Sequence, residues 1–484
     1  MKKLLIVFLV LFIALYSSAI TRYVATTGND SNAGTITAPY KTIQHAADVV
    51  NPGDIVIVKD GVYTNTIPNY GSEQAVIKLT RSGTASSYIT FQAEHKWGAV
   101  LDGQSFAAEF GIMINTASYI KIDGFEIKDI GIWAIPIYEG SNYIEIRNCK
   151  INSIGVVCTA TTNGLSAIAL FSANHILIEK NLIYNIGRLA PDEGCTIAKY
   201  YQWQDHGIYI DNSNFITIQK NIIYGVQGGW TIHFYSGSGG MSSNNYILNN
   251  TIAFGKRASG LVILYENVTN TYIQNNIFYH GTDISYDVYA GYNHGIVINT
   301  GYTYSNVQIN YNLTYRGSGL TTSGVVVPGV TSRYNINNTN PLILSESNFD
   351  FSLQLGSLAI HAGVDVGLTS DYLGNPVIGK PDIGALEYQP TAITYYNTTA
   401  TATAIRNNCP TNYTGSVVTY IVPANKYSST TSQAEADLQA TNDLTANKQA
   451  YANTNGICTA PIPDITKTIK ISVQDGKIII QDVP

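Results

Sequence analysis

Asn142-Tyr-Ile-Glu-Ile-Arg-Asn-Cys149-Lys-Ile151 is followed by two close copies, Asn174-His-Ile-Leu-Ile-Glu-Lys-Asn181-Leu-Ile183 and Asn214-Phe-Ile-Thr-Ile-Gln-Lys-Asn221-Ile-Ile223. The pattern continues in Asn245-Tyr-Ile-Leu-Asn-Asn250-Thr-Ile252, Tyr272-Ile-Gln-Asn-Asn276-Ile-Phe278 and Val307-Gln-Ile-Asn-Tyr-Asn312-Leu-Thr314, with an earlier copy at Ser118-Tyr-Ile-Lys-Ile-Asp-Gly-Phe125. The unit is apolar-x-Ile-x-x-Asn-x-apolar, which reads as two short alternating strands with a turn between them. Recurrence every few tens of residues signals a solenoid whose coils bury one another's apolar faces. Successive coils of such a stack lie about 4.8 Å apart. Asn181, Asn221, Asn250, Asn276 and Asn312 then form an inward ladder, each side-chain amide bonding its neighbours above and below. Phe125 and Cys149 fill the same column nearer the start. Barrels and propellers need hairpins, and two-residue Asn-Gly or Asp-Gly turns do not recur from copy to copy, Asp123-Gly124 of the earliest one apart.

The predicted fold is therefore all-β: a right-handed parallel β-helix from about residue 20 to 390. Both ends resemble those of secreted, pectate-lyase-like parallel β-helix proteins. Gly28-Asn-Asp30 through Gly34, Ala38-Pro39-Tyr40-Lys-Thr42-Ile43-Gln-His-Ala46-Ala47 and Pro52-Gly53-Asp54 to Gly61-Val-Tyr63 are similar to the N-terminal cap of that family. Pro39 to Val50 is expected to be a short amphipathic helix covering the open edge of the first coil. Asp371-Tyr-Leu-Gly374 and Pro381-Asp382-Ile-Gly384-Ala-Leu-Glu387-Tyr388 resemble the family's closing segment, whose usual basic residue appears here as Lys380, a small departure. The resemblance spans about three-quarters of the chain and implies fold more than chemistry.

Met1-Lys2-Lys3, the apolar run Leu4 to Leu15 and Ser17-Ser18-Ala19 read as an export signal over residues 1–19. No later stretch is long and apolar enough to span a bilayer. Only 12% of the residues are charged, and the formal charge of −6 becomes −8 without Lys2 and Lys3. That balance lacks the footprint of a nucleic-acid binder. Five cysteines suit an oxidising compartment. Cys409 and Cys458 bracket one segment and are expected to pair, Cys158 and Cys195 can meet between loops, and Cys149 is expected to be buried.

After Pro390 the composition shifts to Thr, Ala and Asn. Residues 391–460 resemble a small uncharacterised module of exported bacterial proteins, here read as α+β with a helix over about 432–453. Residues 461–484 read as a hairpin turning at Asp475-Gly476.

A second strand of each coil stacks through paired apolar residues, from Ile112/Ile114 through Ile168/Leu170, Ile208/Ile210 and Ile232/Phe234 to Ile296/Ile298. The residues between and after those pairs point outward. One outward column runs Met113, Pro136, Ala169, Tyr209, His233, Ile263, Val297; the next runs Asn115, Tyr138, Phe171, Asp211, Tyr235, Tyr265, Asn299. An exposed row of Tyr138, Phe171, Tyr235 and Tyr265 suits stacking against sugar rings. The longest insert, Gly187 to Asp205, brings Lys199 and Trp203 beside these coils, and Trp230, Lys256, Arg257 and Glu266 follow on the next two. Such convergence is what a glycan cleft requires.

The partner expected is a polysaccharide, bound by a monomeric chain. A uronate lyase needs a neutral base, an acid, and a cation for the substrate carboxylate. Tyr209, His233 and Tyr235 are candidates for base and acid, and Lys199, Lys256 or Arg257 for the cation. A hydrolase needs two carboxyl groups, for which Asp205, Asp211 and Glu266 qualify. His206 beside Gly207 fits either a strand cap or a functional role, and Lys180 and Lys220 are expected to be solvated. The paired-Asp motifs of polygalacturonase-type hydrolases and the dense Asp cluster of the fold's calcium-dependent lyases are not recognisable. No cofactor is demanded by the sequence, and Ca²⁺ stays admissible. The reading is a lyase first, a hydrolase on the same cleft second, and a glycan-binding or adhesion protein third.

Overall fold

The computed structural model describes residues 19–64, 74–159, 164–189, 194–196, 204–236, 239–255, 260–280, 294–316, 320–321, 326–390, 394–463 and 468–483. The chain divides into two compact units between Gln389 and Pro390. Of the expected export signal, residues 1–18 lie outside the described residues. No described helix is long and apolar enough to cross a membrane.

The first unit is a parallel β-helix with three strands per coil, not two. Its turns join an 11-stranded sheet running from Thr21–Val24 to Val330–Arg333, a 9-stranded sheet from Gly61–Thr64 to Leu313–Tyr315, and an 8-stranded sheet from Ala75–Leu79 to His294–Ile298. These are called sheets one, two and three, in the order the chain visits them. A middle coil shows the path: Asn174–Glu179 in sheet one, Leu182–Ile186 in sheet two and His206–Asp211 in sheet three. The repeat read from the sequence is the sheet-one and sheet-two pair. The paired apolar residues belong to a third strand, reached after loops of varying length. Inside, Ile146, Ile178, Ile218 and their equivalents stack at equal height, because the register keeps each inward position on the same face.

The turn from sheet one to sheet two holds the ladder. Backbone N–H groups of Asn181, Asn221, Asn250 and Asn276 each donate to the side-chain oxygen of the next ladder Asn at 2.9–3.0 Å. Each amide nitrogen also bonds a carbonyl of the preceding coil, as Asn221 does with Ile178 at 2.8 Å. The ladder extends past Asn312 to Asn335. Cys149 starts it, buried and unpaired, with its N–H on Asn181 Oδ1. The residue before each ladder position takes a left-handed conformation, including Lys180, Lys220, Asn249 and Asn275. Lys220 is not solvated as expected: it is buried and meets Glu179 at 2.6 Å. Lys180 is half-buried and reaches Ser370. A second, serine-based ladder links the turns from sheet three to sheet one, where Ser213 Oγ accepts from Ala173 and Ser242 Oγ accepts from Ser213.

The N-terminal helix is shorter than expected, Ile43–Val49, because Thr42 caps it through the His45 N–H. The closing segment does not plug the last coil. It lies along the outer face of sheet two, where Ile383, Leu386, Tyr372 and Phe351 pack with Ile222 and Ile277. Backbone bonds from Gly384 to Asn275 and from Ala385 to Thr251 Oγ1 fix it there.

In the second unit, Ala400–Ile405 and Val417–Val422 pair antiparallel, and the helix Gln433–Asn455 buries Ala440 and Leu444 against Val422. The Cys409–Cys458 disulfide closes this unit, and a hairpin turns at Asp475-Gly476.

Candidate functional site

Sheet three carries the candidate residues of the outward columns. Its register places Tyr209 beside His233, Phe171 beside Asp211, and Tyr235 beside Tyr265, as alternation along paired parallel strands requires. Both outward columns are thus where the sequence put them.

Their burial differs from the expectation. Tyr138, Phe171, Tyr235 and Tyr265 are half-buried, not exposed, because they pack on one another. Centroids of Tyr138 and Phe171 lie 5.5 Å apart, Phe171 and Tyr209 5.8 Å, Tyr209 and Tyr235 6.5 Å, and Tyr235 and Tyr265 6.0 Å. Two rings extend the row that the sequence reading missed. Trp133 meets Phe171 at 5.0 Å and Tyr302 meets Tyr265 at 5.5 Å. The signal for Trp133 was available, since it opens the strand one register step from Phe110. Tyr302 sits on the loop after its strand, where alternation says nothing.

Beneath this row lies a histidine pair. His206 and His233 are 4% and 6% exposed, so His233 is not the open side chain its column suggested. The His233 Nδ1 and His206 Nε2 atoms are 3.0 Å apart, and the Trp230 N–H donates to His206 Nδ1 at 3.2 Å. Trp230, half-buried, packs 4.7 Å from the His233 ring. Burial lowers the His206 pKa to about 3 and carries His233 well below the ordinary imidazole value, the second effect on His233 being His206 itself.

The three carboxyl groups separate. Asp205 is inaccessible and bonded to Arg188, another residue the sequence reading missed, and to the N–H of Leu165. Burial pushes its pKa to about 7 despite the Arg188 charge. Glu266 is also inaccessible, which removes it from the direct glycan contact expected of it. Its pKa is raised to about 7, mainly by burial, against the Ser242 hydroxyl and Asn212 N–H, while the Asp211 charge adds to the rise. Asp211 alone of the three is half-buried at the surface, with a pKa raised by burial. Burial, then Asp211, Tyr235 and Glu266, push the Tyr209 phenol up. Lys199, Trp203, Lys256 and Arg257 lie outside the described residues.

Calcium takes about six to eight oxygen ligands. The site offers Asp211 at the surface and Glu266 beneath it. Among the described residues the one grouping of three potential ligands is elsewhere, the exposed Asp60, Glu94 and His95. An imidazole suits a transition metal better than calcium. The described residues of the cleft therefore do not fit a calcium ion.

This stack of parallel coils, with its cap and side-lying closing segment, is a right-handed parallel β-helix. Residues 22–188 match the family described as Pel9A-like, right handed beta helix region, and residues 395–459 match a family of unknown function, DUF5977. The first match ends before the coils that carry the histidine pair. Pectate lyase PEL9 of Emericella nidulans is 36% identical over 104 residues, 22% of this chain and 23% of its own. Uncharacterized protein YwoF of Bacillus subtilis is 31% identical over 143 residues, 27% and 28% of the two chains. The chain thus spans about a quarter of the length of these relatives. The crystal structure of pectate lyase Pel9A superposes with a TM-score of 0.45 at 16% identity, covering 77% of this chain and 97% of that one.

Proposed function

We propose that the β-helix is an exported polysaccharide lyase that cleaves a uronate-containing glycan by β-elimination. The observation that carries the reading is the position of Asp211, a carboxylate in the middle of a column otherwise made of Tyr138, Phe171, Tyr235 and Tyr265. That column spans four coil steps, about 19 Å. A glycan lying along it meets ring faces on both sides of Asp211. Asp211, a carboxylate in place of the neutral base expected from the sequence and made more basic by burial, takes the proton from the carbon beside the substrate carboxylate. The electron pair becomes a carbon–carbon double bond as the glycosidic C–O bond breaks, and a phenol of Tyr209 or Tyr235 returns a proton to the leaving oxygen. Tyr209, its pKa raised by burial and by Asp211, is held in the protonated form that this role needs. Lys199, Lys256 and Arg257 are assigned to the substrate carboxylate, and Trp203 and Trp230 to the walls of the cleft. The partial similarity to a pectate lyase of Emericella nidulans supports the same chemistry.

The test is absorbance near roughly 235 nm, where the unsaturated uronate left by proton abstraction absorbs, during incubation with a panel of uronate polysaccharides. A rise that disappears in Asp211→Asn supports the proposal. Hydrolysis on the same cleft is the alternative outcome, although Glu266, inaccessible beneath Asp211, leaves Asp211 without a second surface carboxyl among the three candidates. New reducing ends without the chromophore would select it. Binding without turnover on any glycan would leave the adhesive role.

A further inference from the structure

A backbone N–H can only donate. The Trp230 N–H points at His206 Nδ1, so that nitrogen supplies a lone pair and carries no proton. His206 is buried and neutral, so its one ring proton sits on Nε2. That Nε2–H faces His233 Nδ1 at 3.0 Å, which makes His233 Nδ1 the acceptor. His233 is neutral too, and its proton is therefore on Nε2. The tautomers of both rings follow from one peptide group.

The consequence concerns the free end of the relay. His233 Nε2 is inaccessible and has no hydrogen-bond partner among the described residues. The rings of Trp230, Tyr209, Tyr235 and Tyr265 surround His233 at 4.7, 5.9, 5.5 and 6.4 Å. A buried donor without an acceptor is costly, and a fold keeps one where something else completes it. We propose that His206 is a positioning residue that holds His233 with its proton on Nε2, so that, once a bound uronate displaces the rings that cover it, His233 serves the cleft as a neutral hydrogen-bond donor to a carboxylate oxygen and not as the base. This rests on the reading of the cleft as a uronate site. β-Elimination builds negative charge on that carboxylate as the proton leaves, so a fixed donor there strengthens in the transition state. It also explains why the proton must go elsewhere, to Asp211: the only lone pair on His233 is already occupied.

The experiment is nitrogen-detected NMR of the full chain carrying isotope-labelled histidine, with an oligomer of galacturonate as the probe. Both rings are expected as the Nε2–H tautomer, without titrating between about pH 5 and 8, and the His233 Nε2–H signal is expected to move when the oligomer is added. His206→Ala should release His233 to exchange between tautomers and lower kcat by about 100-fold, the scale for losing one charge-stabilising donor. His206→Gln, whose amide offers an acceptor and a donor at similar spacing, should restore both the tautomer and most of the rate. A proton on His233 Nδ1 in the intact protein, or a His233 that titrates in that window, overturns the role of His206 even if turnover is normal. Expected tautomers with no response to the oligomer, and no turnover, overturn the acceptor assignment together with the uronate reading.

Discussion

Arg188 Nη1 and Asp205 Oδ1 lie 3.3 Å apart where solvent does not reach either side chain. The two residues stand at the beginning and end of the longest insert, and the Arg188 N–H also donates to Asp205 Oδ2 at 2.8 Å. Asp205 immediately precedes the strand His206–Asp211, so this pair fixes where the insert re-enters the coil beside the cleft. Gly229 lies so close that a side chain there would strike the Asp205 carbonyl. The Cys158–Cys195 disulfide ties the insert a second time.

Asp205→Ala removes the carboxylate that meets the buried Arg188 guanidinium, and is expected to cost about 3–5 kcal/mol. The double variant Arg188→Met with Asp205→Leu removes both charges and is expected to recover most of that loss. Thermal unfolding of the three proteins checks this. Equal destabilisation of the single and double variants would mean that the packing, not the ion pair, holds the insert.

The ladder makes a sharper demand. Asn250 Oδ1 accepts both the N–H and the side-chain amide of Asn221, at 2.9 and 3.0 Å, and Asn250 Nδ2 donates to the Ile218 carbonyl. Asn250→Ala strands the buried Asn221 N–H and takes the donor from the Ile218 carbonyl, while the Asn221 amide keeps Ile178 and Gln219, and is expected to cost on the order of 3 kcal/mol. Asn335→Ala, at the wetter end of the ladder, should cost about 1 kcal/mol. Chemical denaturation of both variants measures the difference.

The ladder was legible because its chemistry is local and repeats: Asn at one position, apolar residues at fixed offsets. The outward columns of sheet three were legible for the same reason, since alternation fixes which way Tyr209, Asp211 and His233 face. Depth was not. The same alternation that points Glu266 and His233 away from the core cannot say that neighbouring rings and turns cover them. Arg188 was passed over because its partner lies across an insert of a length that no pattern predicts. The closing segment was recognised by its residues, but its seat on sheet two depends on contacts with Ile222, Asn275 and Thr251, far away in the sequence.

Two of the aromatic rows on this β-helix should behave differently. On sheet one, Tyr119, Tyr143, His175 and Phe215 stack nearly parallel at 4.3–4.6 Å, so the rings cover one another's faces. On sheet three, Phe171 and Tyr209 are inclined at 53° and Tyr209 and Tyr235 at 38°, which leaves ring surface uncovered. Tyr265→Ala is expected to weaken glycan binding about three- to tenfold, the value of one aromatic contact, with kcat little changed. Tyr143→Ala should leave binding untouched and lower the melting temperature. Affinity electrophoresis and a thermal scan on both variants separate the roles.

Glu387 gives the closing segment a pH dependence of definite sign. Its Oε1 accepts the Asp382 N–H at 3.0 Å, and its pKa is raised from 4.5 to about 7, first by burial and then by the Asp382 charge. Between about pH 4.5 and 7 the folded chain keeps a proton on Glu387 that the unfolded chain has released. Its contribution to stability is therefore complete below about pH 4.5 and is lost as the pH rises through 7. The size is on the order of 3 kcal/mol. Glu387→Gln can still accept from Asp382 and does not ionise, so it should match the wild type near pH 4.5 and exceed it progressively toward pH 8. The buried, neutral His206 and His233 act oppositely, since they must be charged in the unfolded chain below about pH 6.5. They cancel when the variant is compared with the wild type at each pH. A stability difference that stays constant across that range would show that folding does not raise the Glu387 pKa.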